Sequence, residues 1–543
     1  MWSKEWKIGL NCIKSESSFF TLARNETKFE PVIIIDDEAI KFNANPRLLG
    51  VFLDRELTFT YHTDTVAKKA KKKNRMLAAL GHTDWGWRKQ DLRRVYLAYT
   101  RSVLDYAGCA WQPWIKESNI KKLEATQNSS IRIITGQAKD SPVESLCLEA
   151  NLPSYSSVIT ATCMRAREKA LRLPEDHPRR ICLTQPNNIR LEKRSSCRSK
   201  ALDLLKDLPT DAHFRKPITF HYTPPWLQGV GEANICPNLP GCSGKEDTQA
   251  HKIQAAMDQI NSINASITIY TDGSASGGIS NGGAAAVINT GNPEHPTVSE
   301  TLMKRGAIFT SSYDEEVLAM EMAVGWLIDN PPSSALIITD SQSLCEALQG
   351  HDPNLDQLRL NIKNLSLPLT VQWVPGHSDV PGNELADQAA KMATELDEQA
   401  APVTYGSICT QIRRMAKELE PEPTDEVKKR THERIKKVYS GISQNKERSI
   451  TSRRDQTLLA KIRNGHTILF GAYEARLLNE DESKTVCPLC GESPHDLIHW
   501  STKCAGTLNR RRELFGTEDF DKLKALSSHP NEALVLARDT LCP

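Results

Sequence analysis

Ile269-Tyr-Thr-Asp-Gly-Ser274 places an aspartate where an apolar run ends and a Gly/Ser turn begins. Ile337-Ile-Thr-Asp-Ser341 repeats this pattern later in the chain. An aspartate in this setting is typical of the C-terminal tip of a strand, and in sheets with adjacent parallel strands ligands gather beyond those tips. The two stretches therefore predict neighbouring parallel strands from which Asp272 and Asp340 emerge side by side.

Two further carboxylates lie in segments with helical patterning: Glu316 in Glu316-Val-Leu-Ala319 and Asp387 in Asn383-Glu-Leu-Ala-Asp387. Four acids drawn together from separate elements repel one another unless cations neutralise them. Hard divalent cations with oxygen ligands are the usual solution. We therefore predict a site for two Mg²⁺ ions (or Mn²⁺), the arrangement that hydrolyses a phosphodiester in line.

The segment 263–396 resembles a type 1 ribonuclease H domain. The resemblance rests on TDGS (271–274), the stretch Ser312–Met320, ITDS (338–341), and Trp373-Val-Pro-Gly-His377 followed by Pro381-Gly-Asn-Glu-Leu-Ala-Asp387. It implies a central α/β domain built on a mixed five-stranded sheet with helices on both faces. Bacterial relatives carry a basic substrate-gripping helix after the Asp340 region, where this chain has only Arg359 and Lys363.

Glu315 adjoins Glu316, so the choice between them needs a register argument. Residues three and seven positions on share a helix face. From Glu316 these are Ala319 and Ala323, both small, whereas from Glu315 they form an alternative apolar stripe. The Glu-x-x-Ala pattern of the resembled family favours Glu316. Five other acids are predicted to be solvated helix charges: Asp314, Glu315, Glu321, Glu384 and Glu395.

The resemblance also implies a chemistry, the hydrolysis of the RNA strand of an RNA–DNA hybrid. Asp272 would bridge both magnesium ions, Glu316 and Asp340 would bind one, and Asp387 the other. His377 matches a loop histidine that assists proton movement or product departure in this family. Further residues are predicted to contact the nucleic acid near these acids: Gly273, Ser274, Ser312, Ser341 and Asn383.

Length and composition are those of a multidomain globular protein. The 543 residues are 25% charged and 39% hydrophobic, and no stretch approaches the roughly 18 consecutive apolar residues that a membrane span needs. The cysteines show no disulfide-like framework, as in a reducing compartment. We expect a soluble intracellular protein without membrane partners; the sequence leaves open nuclear or cytoplasmic residence and the oligomeric state.

The net charge of +2 hides an uneven distribution of charge. Residues 264–396 hold 5 Lys and Arg against 16 Asp and Glu, whereas residues 1–263 hold 40 against 29. An acidic domain attracts metal ions but repels a polyanion. The basic first half is therefore expected to supply much of the attraction for nucleic acid.

The first segment, 1–175, predicts short strands at Val32–Ile35 and Leu48–Leu53, then helices over about 63–80, 89–107 and 117–135. It resembles the region downstream of the polymerase palm in non-LTR (LINE-type) retrotransposon reverse transcriptases. That resemblance rests on Leu48–Asp54, Ala98–Tyr106, Trp111, Gln127-Asn128 and Arg132–Gly136. A Tyr-x-Asp-Asp-type hairpin is not found here, so we expect this segment to lack polymerase activity and to be an N-terminally truncated remnant.

A run of basic residues lies on the first predicted helix. Its nucleic-acid-binding candidates are Lys68, Lys69, Lys71, Lys72, Lys73 and Arg75. One interpretation is a solvated helix face. The other is a surface that follows the backbone of a duplex.

Cys487-Pro-Leu-Cys490, His499 and Cys504 form the pattern C-x2-C-x8-H-x4-C. A CxxC turn places two thiolates on one tetrahedral ion, and a later His and Cys complete a closed structural site. The pattern also resembles the C-terminal knuckle of many non-LTR element proteins. We predict one structural Zn²⁺, with His495 as a spare candidate ligand; the knuckle either contacts nucleic acid or only supports folding.

Six segments follow from these patterns. They are a mainly helical reverse-transcriptase remnant (1–175), a Pro/Arg-rich linker (176–262), the ribonuclease H domain (263–396), a charged helical linker (397–450), a helical segment with a small zinc knuckle (451–510) and a tail (511–543). The predicted function is hybrid-specific endoribonuclease activity within a truncated retroelement protein. Two alternatives stay open: a catalytically silent nucleic-acid-binding remnant, and a host-type hybrid-repair ribonuclease.

Overall fold

The computed structural model describes most of the chain: residues 5–7, 9, 11–35, 37–184, 214–218, 229–242, 248–291, 297–350, 352–376, 380–418, 425–442, 444–516 and 522–542. The predictions for the linker 176–262 therefore fall partly outside the described residues.

Eleven strands are present in the described residues: β1 Glu16–Ser17, β2 Ile33–Ile35, β3 Glu38–Phe42, β4 Arg47–Leu48, β5 Val51–Phe52, β6 Asn234–Cys236, β7 Ile267–Ser276, β8 Ser280–Asn289, β9 Val298–Arg305, β10 Ala335–Thr339 and β11 Leu369–Trp373. The α-helices are Thr60–Leu80, Lys89–Val95, Ser102–Asp105, Gly108–Trp111, Glu117–Thr135, Val143–Ala150, Tyr155–Leu171, Pro178–Thr184, Gln249–Ser262, Ser312–Asp329, Gln342–Gln349, Asp356–Lys363, Pro381–Ala393, Tyr405–Glu418, Glu426–Tyr439, Gln444–Ser449, Arg453–Asn464, Gly471–Leu478, Leu508–Phe515, Lys522–Ser528 and Pro530–Thr540.

The described residues fall into two compact units. The helical unit takes those within Met1–Met164 and Ala416–Pro543, and the sheet unit takes those within Arg165–Pro186 and Leu205–Met415. The helical unit therefore combines segments from both ends of the chain.

The sheet unit is organised around six strands in the order β6-β11-β10-β7-β8-β9. The first four run parallel to one another, and β8 and β9 continue the sheet as antiparallel neighbours. Strand β10 is a fully buried, mostly apolar run, as expected for a strand covered on both faces. The predicted mixed sheet is confirmed.

Helices cover both faces of this sheet. On one face, Ser312–Asp329 packs with Ile269, Ile337 and Val371 into a buried apolar cluster. On the other face, Pro381–Ala393 packs against residues that alternate with those, such as Tyr270. This alternation follows from the two-residue period of a strand.

The sheet has one strand more than the five predicted. The sixth strand, β6, pairs in parallel with β11 and comes from the stretch predicted to be a poorly packed connector. The helix Gln249–Ser262, from the same stretch, buries Ala256 and Ile260 against the sheet. Prolines near β6 concealed the strand because they are strong turn signals, and a strand of three residues gives little pattern.

The N-terminal segment of the helical unit confirms the three long predicted helices. They begin at Thr60, Lys89 and Glu117, and the second continues through a π-helical stretch to Asp105. The predicted strand at Leu48–Leu53 is a short antiparallel pair, β4 and β5.

A buried ionic quartet joins the two ends of the chain within the helical unit. Lys89 Nζ lies 2.5 Å from Glu149 and 2.8 Å from Glu447, and Arg463 contacts the same two carboxylates at 3.3 and 2.6 Å. Burial alone would raise the pKa of Glu447, but the facing cations lower it to about 2. Such a group tolerates burial only while all partners are present, since removing one leaves an uncompensated charge.

The segment predicted as a tail is helical and packed. Leu534, Leu536 and Ala537 are buried in the same apolar cluster as Leu459 and Trp500. Within the part of the chain that the structure describes, no helix combines the length and apolarity that crossing a membrane requires.

The helix Gln249–Ser262 should contribute measurably to the stability of the sheet unit. Ile260 is fully buried, so Ile260→Ala should lower the free energy of unfolding by about 2–5 kcal/mol through reduced burial and a residual cavity. Native-state hydrogen exchange of the β7 amides measures this decrease. Gln254→Ala, on the exposed side of the same helix, is the control, and equal effects of the two substitutions would contradict the observed packing.

Candidate active site

Asp272 and Asp340 lie side by side, as predicted. Pairing of β7 with β10 ends at Thr271 and Thr339, so the next residue of each strand is an aspartate at the same level. One detail differs from the prediction. Strand β7 continues to Ser276, because its other neighbour β8 pairs with it beyond Asp272.

Glu316 reaches this point from the helix Ser312–Asp329. Ala319 and Ala323, on the same face of the helix, are fully buried, so the predicted register is correct. Gly273 permits the close approach, since a Cβ there would lie 2.3 Å from the Glu316 nitrogen. Gly273, which we predicted to contact nucleic acid, therefore makes room for the helix itself.

Glu315 is also buried, so the prediction of a solvated charge is wrong. Its Oε1 accepts a hydrogen bond from the Ala307 nitrogen at 3.1 Å. Side chains at Gly282 or Gly306 would collide with the Glu315 carboxylate, so these glycines make room for it. Burial raises the pKa of Glu315. No single-residue signal in the sequence distinguishes this structural acid from a solvated one.

Three carboxylates meet at the end of the parallel strands. Asp272, Glu316 and Asp340 each offer an oxygen, and these oxygens lie within 4.8 Å of one another. Burial, together with repulsion from Asp340 and Asp387, raises the pKa of Asp272 to about 7. Burial and the charge of Asp272 also raise the pKa of Glu316 well above its usual value. Asp272 and Glu316 share a hydrogen bond, and the Gly273 backbone donates to both.

Asp387 is near this group but not within it. It lies in the helix Pro381–Ala393, and Lys391 Nζ donates to its Oδ2 at 2.6 Å. The charge of Asp387 is close enough to raise the pKa of Asp272. The structure therefore brings three of the four predicted ligands together and holds the fourth beside them in an ion pair.

A cleft of about 500 Å³ opens next to Glu316 and Asp340. Two predicted nucleic-acid contacts, Ser312 and Ser341, line it. Four lining residues were missed by sequence reasoning, because no pattern in the sequence marks them as cleft residues: Tyr313, Gln342, Ser343 and Glu346.

The remaining predicted contacts differ in accessibility. Ser274 is half-buried on β7, and Asn383 is only 3% exposed. His377 lies outside the described residues. Arg359, the basic residue singled out after the Asp340 region, is buried and donates to the carbonyl oxygens of Ala347 and Leu348. Arg359 therefore supports the fold and presents no charge to a substrate.

Cys487, Cys490, His499 and Cys504 form a second cluster, whose ligand atoms also lie within 4.8 Å of one another. Cys487 Sγ is 3.7 Å from Cys504 Sγ, and Cys490 Sγ is 3.2 Å from His499 Nε2. His495 is not among the residues of this cluster. Its Nδ1 accepts a hydrogen bond from the Gly471 nitrogen. The structure brings the four predicted ligands together.

The basic run lies on the helix Thr60–Leu80 of the helical unit. Lys73 is half-buried, donates to the Tyr99 carbonyl at 2.8 Å and stacks over the Tyr99 ring. The other five candidates are exposed: Lys68, Lys69, Lys71, Lys72 and Arg75.

Residues 264–395 match the family model described as RNase H. The chain is 29% identical over 140 residues to the "Probable RNA-directed DNA polymerase from transposon X-element" of Drosophila melanogaster, covering 25% of this chain and 14% of that protein. It is 34% identical over 136 residues to the "Pol polyprotein" of equine infectious anemia virus (isolate 1369), covering 24% of this chain and 11% of that protein. The chain thus spans a small part of the length of these relatives.

Two solved structures are similar to part of the chain. The N-terminal RNase H domain of rv2228c from Mycobacterium tuberculosis, as a maltose-binding-protein fusion, has a TM-score of 0.21 at 21% identity, over 24% of this chain and 95% of that one. RNase H1 from Halobacterium salinarum has a TM-score of 0.20 at 20% identity, over 24% and 97%. The family match assigns residues 264–395 to a ribonuclease H domain, and about a quarter of the chain is similar to a transposon polymerase protein and to a viral Pol polyprotein.

Proposed function

We propose that the ribonuclease H domain hydrolyses the RNA strand of RNA–DNA hybrids with two divalent cations held by Asp272, Glu316, Asp340 and Asp387. The observation that carries this proposal is the meeting of three carboxylates, two buried and one half-buried, at the end of the parallel strands. The match of the surrounding segment to the ribonuclease H family supports it.

The residues at this point suit a hard divalent cation. All three clustered side chains are carboxylates, the ligand type that Mg²⁺ and Mn²⁺ prefer. Glu316 Oε2 is buried without a hydrogen-bond partner among the described residues, and a buried acceptor of this kind is costly unless something binds it. Cations would also offset the repulsion that raises the pKa of Asp272.

The roles of the protein groups follow from their positions. Asp272, which shares a hydrogen bond with Glu316 and is repelled by Asp340 and Asp387, is the proposed shared ligand. Asp387 would help to hold the second ion if it released Lys391. Two bound divalent ions supply activation of the attacking water and stabilisation of the leaving 3′-oxygen.

Selection of RNA over DNA requires contacts to the 2′-hydroxyl, which can both donate and accept. Ser312 and Ser341 line the cleft beside Glu316 and Asp340. Their hydroxyl groups and the Glu316 carboxylate are the proposed contacts. His377 is proposed to assist proton movement or product departure.

Asp272→Asn tests the catalytic assignment. Removing the shared carboxylate charge should lower magnesium-dependent cleavage of the RNA strand by at least about 100-fold, because metal-site electrostatics supply several kcal/mol of transition-state stabilisation. Cleavage of a labelled hybrid by the full chain measures this. Asp329→Asn, at the exposed end of the Glu316 helix, is the matched control.

Undiminished cleavage by Asp272→Asn would overturn the proposed mechanism. Failure of the unaltered chain to cleave any hybrid would instead favour the nucleic-acid-binding remnant, in which the fold persists without turnover.

Metal binding should also appear in the pH dependence of stability. The folded-state pKa of Asp272 is raised from 3.8 to about 7, so the folded state binds more protons in that range. Without divalent ions, stability should therefore fall as the pH rises from about 4 to about 7. Added Mg²⁺ should stabilise the protein at pH 8 more than at pH 5.

Thermal denaturation between pH 4 and 8, with and without Mg²⁺, measures this dependence. Asp272→Asn should weaken both the metal-free slope and the gain from Mg²⁺, whereas Asp329→Asn should change neither. A Mg²⁺ gain that survives in Asp272→Asn would contradict the proposed site.

We also propose that Cys487, Cys490, His499 and Cys504 bind one structural Zn²⁺. Three sulfur donors and one imidazole within 4.8 Å of one another fit tetrahedral zinc, and no ligand position remains for a substrate. Arg511 donates to the Cys504 carbonyl at 3.1 Å, which fixes the loop that carries the last ligand.

Elemental analysis of the purified chain should find about one zinc per molecule. Cys487→Ser should lose this zinc and lower the melting temperature, because metal binding contributes directly to folding. His495→Ala removes a nearby histidine outside the cluster and should keep the metal. Retention of full zinc content in Cys487→Ser would refute the site.

A further inference from the structure

A cleft in the helical unit is lined by arginines from both ends of the chain. Two contiguous depressions, of about 120 and 360 Å³, share Gln90, Arg94 and Arg448 in their walls. Arg93 lines the first depression, and Arg88 lines the second. We refer to Arg88, Arg93, Arg94 and Arg448 together as the arginine cleft.

The floor of the cleft carries no net charge. Lys89, Glu149 and Glu447 line it, and with Arg463 they form the buried quartet of two cations and two anions. The quartet therefore neither attracts nor repels an anion at the surface. It fixes the relative positions of the segments that contribute the arginines.

The walls of the cleft carry excess positive charge. Asp91 is the acid among the wall residues. Its carboxylate forms ion pairs with both Arg88 Nε, at 2.9 Å, and Arg94 Nη1, at 3.4 Å. Arg448 is exposed and has no ion-pair partner among the described residues. Four arginines thus face one aspartate around an opening of a few hundred cubic ångströms.

Among the wall residues, Arg93 is the one whose charge would be stabilised most by a bound anion. Its guanidinium is half-buried and donates through Nε and Nη2 to the Asn151 carbonyl, at 3.3 and 3.1 Å. Among the described residues no carboxylate pairs with it, and burial lowers its pKa. A partly desolvated cation with only a neutral acceptor gains from an anion that reaches its free edge.

We propose that the arginine cleft binds a backbone phosphate of the nucleic acid on which the ribonuclease H domain acts. This inference rests on the proposed function. The guanidinium fork matches the geometry of phosphate oxygens, and several forks around one opening suit an anion with several acceptor oxygens.

The charge distribution favours a nucleic acid over an acidic peptide. Residues 264–396 carry 16 acids against 5 basic residues, so the ribonuclease H domain repels the polyanion that it must cleave. Attraction must come from other parts of the chain. The cleft is built by the basic first part of the chain together with the C-terminal segment, and the lysine run at 68–75 does not line it.

The salt dependence of binding tests this proposal. Removing the protein's charge at one phosphate reduces the slope of log K against log salt by about 0.9 for a duplex. The double variant Arg94→Gln/Arg448→Gln of the full chain should therefore bind an RNA–DNA hybrid several-fold more weakly at low salt, with a slope reduced by about 0.9 to 1.8. Fluorescence anisotropy in EDTA measures binding without cleavage.

Arg430→Gln/Arg454→Gln is the matched control. It removes two exposed arginines of the same unit that do not line the cleft, one of them in a weak exposed ion pair like that of Arg94. The control should keep the slope of the unaltered chain. An unchanged slope in the cleft variant, or an equal change in the control, would overturn the proposal.

Two further measurements distinguish binding of nucleic acid from binding of any acidic polymer, and distinguish binding from catalysis. Poly-glutamate that binds as tightly as the hybrid, and depends equally on Arg94 and Arg448, would overturn the choice of nucleic acid. Cleavage by the unaltered chain, measured separately with Mg²⁺, tests the proposed catalysis, whereas the anisotropy assay in EDTA needs no metal and no cleavage. Failure of the proposed catalysis would therefore leave a slope change in the cleft variant intact, so the two proposals fail separately.

Discussion

The central constraint on the sheet unit is the close approach of three carboxylates that repel one another when charged, those of Asp272, Glu316 and Asp340. Their oxygens lie within 4.8 Å of one another in a largely buried position, where charged carboxylates are strongly disfavoured. The fold holds them there through the parallel pairing of β7 with β10 and the close approach of the Glu316 helix over Gly273. Native structures keep such arrangements when binding a cation relieves the repulsion.

Much of this site could be predicted because short motifs encode local geometry directly. An apolar run ending in Asp predicts a strand tip, and the small residues Ala319 and Ala323 predict a helix face that meets a sheet. The Cys487, Cys490, His499 and Cys504 cluster was indicated by its C-x2-C-x8-H-x4-C pattern together with the resemblance to the knuckle of non-LTR element proteins. These features depend on residues that are close together in the sequence, so a short stretch of sequence is enough to predict them.

The features that were missed depend on neighbours in space. Glu315 is buried because Gly282 and Gly306, from other elements, leave room for its carboxylate. Strand β6 exists because β11 offers an edge to a stretch that resembles a linker. The segment order likewise does not indicate that both ends of the chain join in one unit, because the quartet of Lys89, Glu149, Glu447 and Arg463 is assembled from distant residues.

Diffraction from crystals soaked in Mn²⁺ tests the central claim most directly, since it locates cations independently of turnover. We predict two anomalous peaks about 4 Å apart, bridged by Asp272, with Glu316 and Asp340 on one ion and Asp387 released from Lys391 toward the other. Crystals in which the carboxylates bind no ion at saturating Mn²⁺, or in which the peaks lie elsewhere in the sheet unit, would contradict it.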